Sequence, residues 1–429
     1  MLFKKNIGNT FAFVIEVKIC KNEYIMSAMK LFILNMVAIC FFTATSCSKD
    51  VNGGVISPPT SNRVLDASLG IEAVPTSLGS NYTSNFDGYT KVTTPNGGAI
   101  HIVAQSMVTN EQMVRVRSIM EHYLRNLPGS VYGSDKSAIA NKMAENNAAI
   151  ALLNGRDDGS NPNPTPAQSL YQEEIQVEGG TWYMNQNYQT HRDAAFEEIL
   201  HLVHDRGIGV DGANTSPGAA PAFQVKIRAA QTNALSNNLW GIGAASWITE
   251  LTNENSLSQE YLAAVVDVYY GLWGAWTGPR GMNDLYVAKT RANIPTNDPT
   301  GQTNIINNGS QQIFFHTYLT YNARIDASLN GNFSLKFDAS KPYTNCSRYL
   351  KDVTLLGSNN NTVTVNELDN NITGNSGSNT VIFSGASSEY TISTNGGVTT
   401  VTDNTANRDG ENTLTGIEKV QFTDQTMTL

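Results

Sequence analysis

The chain is poor in charge, in cysteine and, toward its end, in histidine and tryptophan. Charged residues make up only 15% of its 429 residues and leave a formal net charge of −9. No basic patch is present to neutralise phosphates, which excludes nucleic acid as a partner. The four cysteines stand at 20, 40, 47 and 346, too few and too scattered for a disulfide framework or a Cys-based zinc site. All five Trp and all six His lie at or before His316. The stretch from Lys351 to Leu429 is built of Thr, Asn, Gly, Ser and Val in short alternating runs, which predicts strands joined by turns. The apolar run Leu31–Ala44 falls short of a membrane span, which needs roughly 20 residues.

That run instead has the anatomy of an export signal. Met29-Lys30 supplies a positive end, Leu31–Ala44 the apolar core and Ala44-Thr45-Ser46-Cys47 its close. This ending resembles the lipoprotein box of bacteria. The resemblance implies that Cys47 becomes the first mature residue and carries a lipid anchor. Residues 1–46 are then the signal region, with the true start expected at Met26 or Met29. Ser48 fits sorting to the outer membrane, so the expected location is the cell envelope, exported and lipid-anchored. Cys20 and Cys40 leave with the signal and Cys346 has no mate, so no intramolecular disulfide is expected. Residues 47–65, rich in Ser, Gly, Pro and Asn, read as the lipidated Cys and its tether.

The remaining length suffices for two domains. The expected class is α+β: a mixed helix and sheet domain over 66–347, then a small all-β domain over 348–429. In the first, Glu111–Asn126 is amphipathic, with Met113, Val114, Val116, Ile119, Met120, Tyr123 and Leu124 on its apolar side. Ala148–Leu153 is a buried-strand candidate, Tyr171–Val177 alternates like an edge strand, and Glu178-Gly179-Gly180-Thr181-Trp182 reads as a loop. Trp240, Trp247, Trp273 and Trp276 with Tyr269 and Tyr270 read as core and wall, a carbohydrate platform being the functional alternative.

The chemistry concentrates in Phe196-Glu197-Glu198-Ile199-Leu200-His201-Leu202-Val203-His204-Asp205, an amphipathic helix that carries ionisable groups inside an apolar run. Buried carboxylates and imidazoles persist when paired, hydrogen-bonded or bound to a metal. At about 3.6 residues per turn, Glu197 and His201 share a face, His204 continues it and Glu198 sits beside it. The spacing resembles the His-Glu-x-x-His motif of the zincin metallopeptidases, with Glu197 in the place of the first histidine. A second helix, Leu257–Asp267, has Ser256 or Ser258 as its candidate cap. Its Glu260-Tyr261-Leu262-Ala263 run resembles the Glu-aromatic-x-Ala segment of the gluzincin group, in particular the anthrax lethal factor type. The similarity runs from about Glu111 to Trp276.

The resemblance implies zinc held by Glu197, His201 and Glu260, with Asp267 as a partner that orients a ligand. Glu198 would be the catalytic general base toward a peptide substrate. Each residue has a plainer reading too. Glu198 and Asp205 fit solvated surface charges, and His201 fits a packed imidazole. His204 fits a cation near the helix C-terminus with Gly207 as the cap, and for His204 that reading is preferred. His191 is an alternative ligand. His316 is available to an oxyanion, although a lone His among aromatics is more often a satisfied core residue.

In the tail, Gly374-Asn375-Ser376-Gly377-Ser378-Asn379-Thr380-Val381-Ile382 resembles a calcium-binding nonapeptide of the RTX β-roll. Calcium there would involve Gly374, Gly377 and Asn379, with Asn379 standing where the motif has Asp. Asp409–Asp424 resembles the segment that closes such rolls, so a β-roll-like domain is expected ahead of calcium in it. Two functions follow. One is a lipid-anchored zinc metallopeptidase; the other is a non-catalytic surface lipoprotein on a degenerate zincin scaffold that binds a protein, peptide or glycan.

Overall fold

The structure, a computed structural model, describes residues 63–210 and 218–429. The signal region, Cys47 and nearly all of the tether lie outside the described residues. Among the described residues no helix is long and apolar enough to cross a membrane.

The first sheet has four strands in chain order: β1 (Gly88–Thr93), β2 (Ala99–Ala104), β3 (Ala149–Leu153) and β4 (Gln168–Tyr171). β1 runs antiparallel to β2, and β2, β3 and β4 run parallel. Every residue of β3 is buried, as its unbroken apolar run requires of a central parallel strand. β4 is the outer strand, but it lies earlier than the expected Tyr171–Val177. Gln172–Glu174 form a helical turn instead, because the Gln112 amide reaches across and donates to the carbonyls of Gln172 and Ile175 at 2.7 and 3.0 Å.

Gln112 belongs to helix α1 (Asn110–Leu124), whose start is fixed by a Thr109/Gln112 capping box. Helix α2 (Ser137–Glu145) follows, then α3 (Ala195–Val203), α4 (Pro221–Ser236), α5 (Ala245–Glu254) and α6 (Leu257–Tyr269). α3 packs between α1, α6 and β4. Phe196, Ile199, Leu200 and Val203 are at most 2% exposed, and burying such side chains is worth about 1.5–3 kcal/mol each.

Three local expectations are corrected. α3 does not stop at a Gly207 cap: it runs into a wide turn over His204–Ile208, and the positive φ of 97° falls on Gly209. Gly207 serves close packing, since a Cβ there would stand 2.8 Å from Ile139 and Met143 of α2. Neither serine caps α6 through its side chain; the Ser258 hydroxyl accepts from the Gln224 amide at 3.2 Å. The expected loop is a turn only over Glu178–Gly180, with Glu178 buried against Arg115 at 3.1 Å, and a short helix starts at Thr181.

Strands are concentrated in the C-terminal part of this mixed α+β fold. β5 (Leu319–Ile325), β7 (Leu350–Leu355), β9 (Asn371–Thr373) and β13 (Glu411–Thr415) pair in parallel in one sheet. β6 (Asn332–Ser334), β8 (Thr362–Thr364), β10 (Thr380–Ile382) and β14 (Lys419–Gln421) pair in parallel in a second. The chain therefore winds alternately between two sheets. A hairpin of β11 (Tyr390–Asn395) and β12 (Val398–Asp403) extends the sheet of β5, β7, β9 and β13, and antiparallel β15 (Thr426–Thr428) closes the sheet of β6, β8, β10 and β14. Facing residues stack in buried columns: Phe333, Val363, Val381 and Val420 on one side, Ala323, Val353, Ile372 and Leu414 on the other. The coil thus begins at β5, upstream of the compositional change at 347/348, and β5 also packs against α1. The described parts of 63–156 and 161–429 belong to one compact unit.

Buried asparagines tie the turns of the coil. Asn366 donates to Leu350 O at 3.0 Å, Asn370 to Lys351 O at 2.9 Å and Asn412 to Asp409 O at 2.6 Å. At the nonapeptide, the Asn379 amide donates to the carbonyls of Asn375 and Gly377 at 3.2 and 3.1 Å. The amide N–H groups thus close the turn, while Asn379 Oδ1 is buried without a hydrogen-bond partner.

Candidate metal centre

The centre forms where α3 meets α6. Arg115, buried in α1, fixes the entry of α3: its guanidinium grips Asp193 through bonds of 3.0 and 2.6 Å, and Asp193 also accepts from Ala195 N at 3.2 Å. Glu197 and Glu198 then fall in the first turn, where unsatisfied N–H groups favour negative charge. His201 follows one turn on.

From α6, Glu260 points back at this turn. One donor atom each from Glu197, His201 and Glu260 lies within 4.8 Å of the other two. His201 Nε2 stands 3.7 Å from Glu260 Oε1. Two ligands of a tetrahedral ion with bonds of about 2.0–2.1 Å stand roughly 3.3 Å apart, so a small rotamer adjustment suffices. Glu197 and Glu260 are 3% and 4% exposed. His201 Nε2 and Glu260 Oε2 are buried with no hydrogen-bond partner, a costly state for an imidazole and a carboxyl unless a further group completes them. One imidazole and two carboxylates, with His201 Nε2 and Glu260 Oε2 unmet, could hold a metal ion.

Glu198 lies at the margin, with 22% of its side chain exposed and Oε2 at 3.9 Å from His201 Nδ1. Gln168 of β4 donates to that same oxygen at 2.7 Å. Burial pushes the Glu198 carboxyl up to about 8, with His201 opposing and Glu197 reinforcing the rise. Burial also raises Glu260, again reinforced by Glu197. Asp267, two turns beyond Glu260, is buried, and burial followed by the Glu197 charge raises it well above the usual carboxylate range. Its Oδ1 has no hydrogen-bond partner, and the Trp273 side chain opposes the rise.

Sequence reasoning missed two residues. Gln168 carries no motif and becomes visible only once β4 is placed. Arg192, five positions before Glu197, places Nη1 against Glu197 Oε2 in an ion pair. Burial works against its charge, but Glu197, Glu174 and Glu198 together hold the guanidinium more firmly protonated than usual.

The remaining histidines lie elsewhere. His204 is buried and its Nε2 meets Gln224 Oε1 at 2.6 Å, facing α4 in place of the helix terminus. His191 stacks on Trp182 at 5.8 Å, and His316 Nε2 meets Arg125 O at 3.1 Å. Neither joins the ligand group. Trp240 packs on Trp247 and Tyr261 in the core, while Trp273 and Trp276 flank Tyr188.

No protein-family model, no curated protein and no solved structure matches this chain. Its function has to be read from this geometry.

Proposed function

We propose that the protein is an exported, lipid-anchored metallopeptidase of zincin type, with Glu197, His201 and Glu260 holding zinc and Glu198 as the general base. The observation that carries this reading is the convergence of those three side chains from two helices, with His201 Nε2 and Glu260 Oε2 both unmet. Zinc, when bound, supplies Lewis acidity toward a peptide carbonyl and acidifies water near neutral pH. With a cation bound nearby to favour its ionised form, Glu198, held by Gln168 at the open margin, would take a proton from the attacking water and pass it to the leaving amine. β4 is the outer strand of its sheet, and an extended peptide laid along its start at Gln168 would pass beside Glu198. The export signal and Cys47 supply the anchor at the outer membrane. The winding between two sheets supports an RTX-type β-roll reading of the tail, with the Asn379 amide bonded across one turn.

A second reading, a non-catalytic surface lipoprotein that binds a protein, peptide or glycan, is favoured by one observation: Arg192 already pairs with Glu197. Elemental mass spectrometry of the purified full chain separates the two. About one zinc per chain, lost in Glu197→Ala, His201→Ala and Glu260→Ala, supports the enzyme, and Glu198→Gln should then keep zinc and lose hydrolysis. A wild-type chain without metal after incubation in zinc would sink it.

A further inference from the structure

The geometry points to Arg192 as a built-in competitor of the metal: its guanidinium and a divalent cation take the Glu197 carboxylate alternately, and Arg192 thereby sets which cations the site accepts. This rests on the reading of Glu197, His201 and Glu260 as ligands.

The backbone cannot carry Arg192 away. The next residue, Asp193, is clamped by Arg115 at 3.0 and 2.6 Å, and Ala194 N is bonded to Glu174 O at 3.0 Å. The side chain is therefore tethered within reach of Glu197, with 19% of its surface exposed. A guanidinium keeps its charge throughout the working pH range, so it can yield to a metal only by moving. If it stays, a cation at the same carboxylate meets like-charge repulsion in a poorly hydrated spot, where Coulomb energies are large.

The alternation needs another carboxylate that attracts the displaced guanidinium, and the same approach to α3 supplies one, since Ala194 N is bonded to Glu174 O at 3.0 Å. Glu174 acts on Arg192 next after Glu197 in strength of attraction, and it lies on the turn that joins β4 to the approach of α3. Arg192 swung to Glu174 leaves Glu197 free for the metal. Cations that bind nitrogen and oxygen donors weakly, such as magnesium or calcium, cannot displace the guanidinium; zinc-like ions higher in the affinity order can.

The test is metal affinity, which needs no substrate. The full chain is stripped with a chelator and titrated with zinc and with manganese against a chromogenic competitor, as wild type, Arg192→Met and Glu174→Gln. Arg192→Met should bind zinc more tightly by about tenfold or more and gain for manganese as well, while Glu174→Gln should bind more weakly. Should Arg192→Met fail to fold, Arg192→Lys replaces it, keeping the charge without the fork, and a smaller gain in affinity is expected. Wild type that binds zinc with no gain in the Arg192 variant overturns the competition alone. No binding in any of them removes the metal site itself.

Discussion

Arg115→Met tests the frame that holds the centre. Arg115 is 4% exposed and makes three charge-assisted bonds, one to Glu178 at 3.1 Å and two to Asp193 at 3.0 and 2.6 Å. Removing one partner of a buried ion pair costs about 3–5 kcal/mol, because the other charge stays buried without compensation. Here two carboxylates are left. Each keeps one weaker donor, Tyr321 OH to Glu178 at 3.0 Å and Ala195 N to Asp193 at 3.2 Å, so the expected loss stays within that range of about 3–5 kcal/mol. Methionine fills much of the arginine stem, which limits the part due to packing. Urea unfolding followed by tryptophan fluorescence reads the loss as a lower midpoint. In the double variant Arg115→Met/Asp193→Asn the second change should cost less than it does alone, by roughly 1–3 kcal/mol of coupling. A single-variant loss under about 1 kcal/mol, or strict additivity, would refute the account of Arg115 as a charge clamp.

Other perturbations address the buried histidine, the buried lysine and the coil. Thr320 N donates to His122 Nδ1 at 3.2 Å, so Nε2 carries the proton toward Tyr270 OH at 3.0 Å, and burial, with Lys136, His316 and Arg125 adding, holds its pKa well below 6.5. Below about pH 6.5 the unfolded chain takes up a proton that the folded one refuses, so stability should fall with acid by up to about 1.4 kcal/mol per pH unit; His122→Gln should flatten that limb, and an unchanged slope would count against it. Lys136 Nζ donates to Tyr123 O at 2.9 Å over the Phe314 ring, and burial pushes it down to about 7. Between about pH 7 and 10.4 the unfolded chain holds the extra proton, so stability should rise with pH and Lys136→Met should remove the rise; parallel curves for the two proteins would contradict this. Asn379→Ala should cost about 1–3 kcal/mol by orphaning the Asn375 and Gly377 carbonyls, while a chelator leaves wild type unaffected. A chelator-sensitive wild-type melting temperature would restore calcium to that turn.

The two helices that bring Glu197, His201 and Glu260 together are legible because their signals are local. Glu197 and His201 share a face through helical spacing alone, and Glu260 opens an apolar run whose period is unmistakable. What the sequence hid depends on contacts made at a distance. β4 ends at Tyr171 because Gln112, far back in α1, captures the next carbonyls. His204 faces Gln224 because the chain widens into a turn after α3, and that turn is tolerated because Gly207 lies against Ile139 and Met143. The first strand of the coil lies upstream of the compositional change at 347/348 for a different reason. Composition reports what a strand shows to water, whereas membership of a sheet is decided by pairing, and Leu319–Ile325 pairs with Leu350–Leu355 although its residues resemble those before it.

The alternation of strands between two sheets makes the coil modular in length but not in phase. From Val363 to Val381, or from Val353 to Ile372, the chain completes one circuit and returns to the same column. Excising one whole circuit should bring equivalent edges together and leave a shorter coil that still melts cooperatively, since repeats of this kind depend mainly on their neighbours. Excising half a circuit should instead deliver each later strand to the wrong sheet and break the columns, which calorimetry would register as a lost or broadened transition. Because the first turn of the winding is shared with α1, whole circuits could be gained or lost over generations while the helices around Glu197, His201 and Glu260 keep their places.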